Sequence, residues 1–438
     1  MLMPCTFVIV CASTGLGAQT PSETAAHRQA VLAQLAAGDF AKVEAQSTDR
    51  MKAALPAGRL EGLWARMIGE AGAFQRCAPA RVQAMGEMQI VITTCEFARA
   101  NVDAQIVFDA AGKLAGLQFR PAGSAPAYAP PPYATPSSYA ESEITIGEPD
   151  WKLPATLAMP QGPGPFPAVV LVHGSGPNDR DETVGANKPF KDLALGLASR
   201  GVAVLRYDKR TKVYPTRLAA FSGLTVKEEV VDDAVEAAKA LRTQPKIDPS
   251  RVFVLGHSLG GMLVPRIAER DPGLAGLIAL AGPARPMEQA IVDQTRYLAA
   301  ADGTVTADEQ AQIDKLVTLA ASVAALTPED AKTGKTLLGV PASYWLDLRG
   351  YDAPSAAGHV KQPLLVLYGE RDYQVTSEEF ARWKTALAAK PNATLRSYPS
   401  LNHLFISGSG KSVPGEYDRP GHVAEEVIRD VAEWVKRR

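Results

Sequence analysis

Ser258 lies in Gly256-His257-Ser258-Leu259-Gly260-Gly261, a pattern that could present an activated nucleophile. Four apolar residues, 252–255, precede the glycine cluster, and a helix-like stretch, 262–270, follows it. In a tight strand-to-helix turn, side chains at 256 and 260 would clash with backbone. Glycine at both positions lets the turn close and pushes the serine outward. The chemistry open to such a serine is acyl transfer; the plain alternative is a turn residue. Glycine is abundant in this chain, so the five-residue pattern alone is weak, and its context gives it weight. Pro265 lacks a backbone donor and is expected to kink the following helix. Two stretches that imitate phosphate loops, 407–412 and 333–336, lack the required glycine at Phe405 and Glu329.

A serine hydroxyl needs a base, and the base needs a partner that fixes its tautomer. The elements that would hold all three occupy residues 143–438. Short apolar runs at 168–174, 202–208, 252–258, 277–282, 363–369 and 394–399 alternate with helical segments such as 191–200 and 226–242. Near-continuous Val and Leu runs are strands covered on both faces. Their alternation with helices predicts an α/β fold with a doubly wound, mostly parallel sheet and right-handed crossovers. Ligands in such sheets bind beyond the carboxyl ends of the strands. Between 283 and 363 no clear strand occurs and helical stretches such as 309–323 fill the interval. A helical lid insert over about 288–360 is expected there.

Three stretches within this region, "HGSGPNDRDE" (173–182), "RYDKRTKVYP" (206–215) and "GHSLGG" (256–261), are similar to the α/β-hydrolase superfamily. The chain resembles bacterial exported serine carboxylesterases that carry a small accessory domain in front. The superfamily's order of nucleophile, acid and histidine implies Ser258, Asp372 and His403. His359 precedes the strand that should supply the acid. His422 opens the amphipathic C-terminal helix and is expected to be structural. Glu370 competes with Asp372 and is expected to be solvated. The resemblance implies oxyanion donors at the N–H groups of Leu259 and Ser175, with His173 supporting the loop. Asp179, Arg180 and Asp181 either border the pocket or form a salt-bridged loop. A departure is Thr211-Lys212, where related enzymes often carry a Gly-x-Gly turn, which leaves the pocket near Tyr214 open. In the lid, Tyr344 and Trp345, with Leu348 and Tyr351, are expected to line an acyl or alcohol pocket. Their alternative place is the lid's own core.

The resemblance thus implies a serine hydrolase that cleaves small carboxylic esters through an acyl-enzyme. A peptidase or an acyltransferase would use the same machinery, although no propeller-like domain that filters peptides is present. A binding protein with a vestigial triad is the reading from a different class. No cofactor is implied, and no His or Cys cluster has the spacing of metal ligands. The formal net charge of -1, without a block of like charges, disfavours nucleic acid and anionic membrane surfaces.

The N-terminal part follows a different pattern. Residues 1–18 combine an apolar run, 6–12, with small residues ending at Ala18, as in a cleaved signal peptide. Neither Lys nor Arg precedes that run, and Leu16 is large for its place. The run is too short for a membrane span. Residues 19–120 show helical stripes (Val31, Leu32, Leu35; Leu60, Leu63, Trp64, Met67). A strand pair follows, alternating through Val102, Ala104, Ile106 and Phe108 and turning at Gly112. A small α+β domain is expected, joined by a Pro/Ala/Ser-rich linker, 121–142, to residues 143–438. Removal of the signal would leave Cys77 and Cys95, either a disulfide or two buried thiols. Export to the periplasm or beyond is the expectation.

Overall fold

The structure, a computed structural model, describes residues 31–438 apart from 79, 86–87, 110, 123–127, 220, 222 and 302. The signal segment expected over 1–18 lies outside the described residues. The described chain divides into two compact units, the first within residues 31–122 and the second within residues 128–438.

The first unit is a helical layer on an antiparallel sheet. A helical segment over 31–36 precedes helices Phe40–Ala45, Asp49–Ala54 and Ala57–Ala71. Thr48 caps the second of these, its hydroxyl accepting the Met51 N–H at 3.2 Å. Strands β1 (Phe74–Cys77) and β2 (Arg81–Met85) pair with one edge of β3 (Met88–Phe97). Strands β4 (Asn101–Phe108) and β5 (Leu114–Pro121) complete the sheet. Period-two alternation puts Val102, Ala104, Ile106 and Phe108 inside, against Val31, Leu35, Leu60 and Trp64. Each such buried aliphatic or aromatic side chain contributes roughly 1.5–3 kcal/mol. Cys77 faces Cys95 across β1 and β3, and a disulfide joins them.

The second unit contains an eight-stranded sheet. Its strands are β6 (Tyr139–Ile146), β7 (Leu153–Pro160), β8 (Phe166–Val172), β9 (Ala203–Tyr207), β10 (Ile247–His257), β11 (Gly276–Leu280), β14 (Leu364–Gly369) and β15 (Ala393–Tyr398). The hairpin β12 (Thr336–Leu337) and β13 (Val340–Pro341) lies between β11 and β14 in sequence and forms its own sheet. The order across the large sheet is β15-β14-β11-β10-β8-β9-β7-β6. Pairing is parallel from β9 through β15, and antiparallel for β7 with β9 and β6 with β7. Alternate residues of each central strand enter different cores. Val252 and Val254 pack with helices Asp232–Arg242 and Leu259–Arg270, whereas Phe253 and Leu255 pack with Pro189–Ala198 and Glu425–Lys436. That double coverage explains why the central strands read as unbroken apolar runs.

Part of the expected linker belongs to this unit. The Tyr128 hydroxyl donates to Asp192 at 2.7 Å and the Tyr133 hydroxyl to the Val423 carbonyl at 2.6 Å. Strand β6 begins at Tyr139, inside the stretch 121–142. Most of its residues are exposed, so its sequence carries little apolar alternation. Pro265 lies within helix Leu259–Arg270 and does not end it. The interval after β11 carries helices Met287–Ala299, Ala307–Ala324, Pro328–Lys332, Ala342–Leu348 and Ala353–His359. Among the described residues no helix is long and apolar enough to cross a membrane.

Candidate active site

Ser258 stands where β10 turns into helix Leu259–Arg270, with φ 52° and ψ -118°. A non-glycine residue in that region is strained, and such strain persists only where neighbours enforce it. The neighbours are close. A Cβ at Gly256 would meet the Gly260 carbonyl oxygen at 2.1 Å, and one at Gly260 would meet the Val172 oxygen at 2.2 Å. The Ser258 N–H donates to Leu280 at the end of β11 (2.9 Å), and its carbonyl accepts the Met262 N–H (2.9 Å). The elbow is therefore tied to the neighbouring strand and to the first turn of its own helix. Leu259 is the first residue of that helix, where an N–H has no helical carbonyl to bond.

The expected acid and histidine stand at the two strand ends beyond β11. After β14, Asp372 is buried and its Oδ1 accepts the N–H groups of Gln374 (2.8 Å) and Val375 (3.0 Å). Its Oδ2 lies 2.7 Å from His403 Nδ1. After β15, His403 is carried by a turn that Asn402 organises: Asn402 Oδ1 accepts the N–H groups of Leu404 and Ile406, both at 3.1 Å. The His403 carbonyl is held in turn by His257 Nε2 at 3.0 Å, and the two imidazole rings are 4.7 Å apart. Strand ends β10, β14 and β15 thus bring Ser258, Asp372 and His403 to one edge of the sheet.

The loop after β8 closes the other side. Gly174 abuts the serine, since a Cβ there would lie 3.1 Å from Ser258 Cβ. The Gly174 N–H donates to Glu182 Oε1 at 2.7 Å. Glu182 Oε2 approaches His257 Nδ1 to 2.9 Å, an ion-pair distance without good hydrogen-bond alignment. Burial opposes charge on Glu182, but His257, His173 and the Gly174 N–H outweigh it and hold the carboxyl below its ordinary range. Burial likewise opposes charge on His257, and Glu182 overcomes it, raising the imidazole. His173 goes the other way: burial prevails over the pull of Glu182 and lowers it to about 4. Its Nε2 meets the Asp179 carbonyl at 3.0 Å, so it braces the loop as a neutral ring. Ser175, next along, is exposed.

Other expected positions fall out differently. Arg180 pairs with Asp208 at 2.9 Å and with Glu143, and Asp181 with Lys188 (2.8 Å) and Arg206 (2.9 Å), giving a salt-bridged loop. His359 is exposed and turns back to the Ser355 carbonyl. His422 meets Asp192 at 3.1 Å, on the Tyr128 side, and Glu370 is exposed and accepts from Ser397. Tyr344 and Trp345 require a correction. Trp345 packs with Val323, Leu326 and Ala342 in the lid's own core, and its indole N–H donates to the Leu337 carbonyl at 2.9 Å. Tyr344 is buried in the main core and hydrogen-bonds Glu229. Both rings are buried in these cores with an internal partner for their polar atom, rather than lining an open pocket. From the lid, Tyr297 stacks on Tyr373, next in sequence to Asp372, at 5.2 Å, and Leu298 packs in the same cluster as Leu404. A cavity of about 320 Å³ lined by Trp151, Arg210, Arg217, Leu218, Phe221 and Glu228 includes none of the Ser258 cluster. Among the described residues no group of three His, Cys, Asp or Glu is placed to hold a metal ion.

Sequence reasoning missed Glu182, His257 and Lys209, although all three stand inside the stretches quoted above. The one signal was their company: an acid, an imidazole and an ammonium in the segments at or after the ends of β8, β10 and β9.

Strand order, the serine elbow and the placement of the following strand ends define an α/β-hydrolase. Residues 164–408 match the family described as serine aminopeptidase, S33, and the chain belongs to that family. Esterase EstD of Thermotoga maritima is 41% identical over 391 residues, 89% of this chain and 89% of its own. Residues 29–117 match a family described as a protein of unknown function, DUF3887. Among solved structures, an esterase of Pyrococcus furiosus is 17% identical over 69% of this chain and 94% of its own, with a TM-score of 0.43. A 2,6-dihydroxy-pseudo-oxynicotine hydrolase is 15% identical over 67% and 66%, with a TM-score of 0.42. The strand topology, rather than these two scores, carries the fold.

Proposed function

We propose that this protein hydrolyses carboxylic esters of small molecules through an acyl-enzyme on Ser258. The observation that carries the reading is the buried 2.7 Å contact of His403 Nδ1 with Asp372, at the sheet edge where the strained elbow presents Ser258. Asp372 accepts from Nδ1–H and so leaves Nε2 free to act as base. Ser258 Oγ attacks the ester carbonyl and its proton passes to His403 Nε2. The carbonyl oxygen becomes an oxyanion facing the N–H groups of Leu259 and Ser175, each such donor being worth roughly 3 kcal/mol. Collapse breaks the acyl–oxygen bond, and His403 returns the proton to the departing alcohol. Water, deprotonated by the same nitrogen, then releases the carboxylic acid and restores the serine.

Ester rather than peptide substrates are favoured by the likeness to Esterase EstD, which extends over both units. Fluorophosphonate labelling tests the nucleophile: wild type should be labelled and Ser258→Ala should not. Turnover of short p-nitrophenyl esters against aminoacyl anilides tests the substrate class. Faster anilide hydrolysis would make the protein a peptidase. Export is part of the reading, supported by the Cys77–Cys95 bond, because disulfides persist in oxidising compartments.

A further inference from the structure

The two peptides that flank Gly174 are each gripped by a buried charge: Lys209 on the carbonyl of Gly174–Ser175, and Glu182 on the N–H of His173–Gly174. Lys209, at the end of β9, is 2% exposed. Its Nζ donates to the Gly174 carbonyl at 2.8 Å and lies 2.7 Å from Glu229 Oε1. Glu229 is also buried, on a π-turn, Lys227–Val231, that leads into helix Asp232–Arg242. Such turns concentrate at functional sites. Glu182 holds the Gly174 N–H, as described, and Asn178 Nδ2 donates to the carbonyls of Gly174 (3.2 Å) and Ser175 (3.1 Å). The Lys209 N–H closes the arrangement by donating to the Asn178 carbonyl at 3.1 Å.

Elementary peptide chemistry gives this grip a consequence. The Gly174 carbonyl and the Ser175 N–H belong to one planar amide, in which they point in opposite directions. A cation fixed on the oxygen orients the N–H. It also draws electron density through the amide, making that N–H a stronger donor. Resting on the esterase reading above, we propose that Lys209 is a positioning residue for the oxyanion site, acting through the Gly174–Ser175 peptide. Glu229 balances its charge. Beyond the ion pair with Glu229, a second ammonium proton is bonded to the carbonyl beside the serine, and it is the place of that carbonyl in the fold that points to the further role.

The test compares wild type with Lys209→Met/Glu229→Gln, which removes both charges and leaves neither stranded. The readouts are kcat and KM on a short p-nitrophenyl ester and the inhibition constant of a matching trifluoromethyl ketone. That ketone forms a tetrahedral oxyanion on the serine. The expected result is a kcat lower by about 10–100-fold, somewhat less than loss of a whole oxyanion donor. KM should stay within about threefold, and ketone affinity should fall in proportion to kcat. Unchanged kcat, or a kcat loss with unchanged ketone affinity, would overturn the proposal. If the double variant does not fold, half-buried Asn178→Ala removes a weaker bond to the same carbonyl. It should lower kcat by about threefold or more at constant KM, and unchanged kcat would overturn the grip. Fluorophosphonate labelling of wild type separates the two levels. An unlabelled wild type defeats the esterase reading itself, whereas a labelled and active one with an indifferent double variant defeats only the role of Lys209.

Discussion

Two regions of the second unit handle charge in opposite ways. Beneath Ser258, Glu182, His257, Lys209 and Glu229 are all buried, and three of them contact the backbone of Gly174 or His403. In the lid, over 287–359, ion pairs such as Lys332–Glu329 are exposed, and carboxylates cap helices: Glu309 and Asp330 each complete a capping box with a threonine. Lid ion pairs of that kind contribute little, about 0–1 kcal/mol each. The buried set is costly to assemble, because desolvation of each ion must be recovered by its partners. The site floor is built to hold backbone still, and the lid is built as an ordinary small helical layer.

The largest effects should fall on the floor and its edge. His403→Ala is expected to lower ester turnover by about 10⁶-fold, and Asp372→Asn by about 10⁴-fold, because the imidazole would then lose its tautomer. Glu370→Gln, two residues from the acid but exposed, should leave kcat within about twofold. Steady-state kinetics of the three variants check this ordering, and a Glu370→Gln loss as large as that of Asp372→Asn would reassign the acid.

The lid should answer with stability before chemistry. Trp345→Ala removes the indole from between Val323, Leu326 and Ala342 and strands the Leu337 carbonyl. A cost of about 3–5 kcal/mol is expected from the cavity. Urea unfolding should register it. If KM rises sharply instead, with the unfolding midpoint unchanged, Trp345 is a pocket wall after all and the contrast between lid and floor fails.

The same contrast marks what could be read from sequence. Central strands were legible because double coverage leaves mostly Val, Leu, Ile and Ala, with an occasional aromatic, to write them. The tight turn at Ser258 was legible because its backbone demands glycine at 256 and 260, and the Asp372–His403 contact because the superfamily's chain order limits the candidates. Strands β6 and β7 were not. One is largely exposed, and the other carries Pro154 and Pro160, which weaken a strand signal. Lys209 and Glu182 were hidden for a different reason: a charged residue is written identically whether it is solvated or buried, and only its partners' positions distinguish the two. Tyr344 and Trp345 suffered the converse ambiguity, since an aromatic in a lid suits a pocket wall and a core equally.

The smallest expected effect concerns the two buried imidazoles that flank Glu182, and it divides the floor itself. His173 is held at about 4, chiefly by burial, with Glu182, Lys209 and Asp179 as its charged neighbours. An unfolded histidine takes a proton near pH 6.5. Between those two values the unfolded chain binds a proton that the folded one refuses, so this group makes stability fall as pH drops from 6.5 towards 4. The limit is about 3 kcal/mol. His257 works in the other sense: its raised pKa contributes stability that is fully present below pH 6.5 and is lost as pH rises through the folded value. His173→Gln keeps a donor for the Asp179 carbonyl and removes the titration. Its urea midpoint should therefore lose less than that of wild type between pH 6.5 and 4. A variant that tracks wild type across that window would mean that His173 is protonated in the fold, and then Glu182 would be shared between two cations rather than committed to His257.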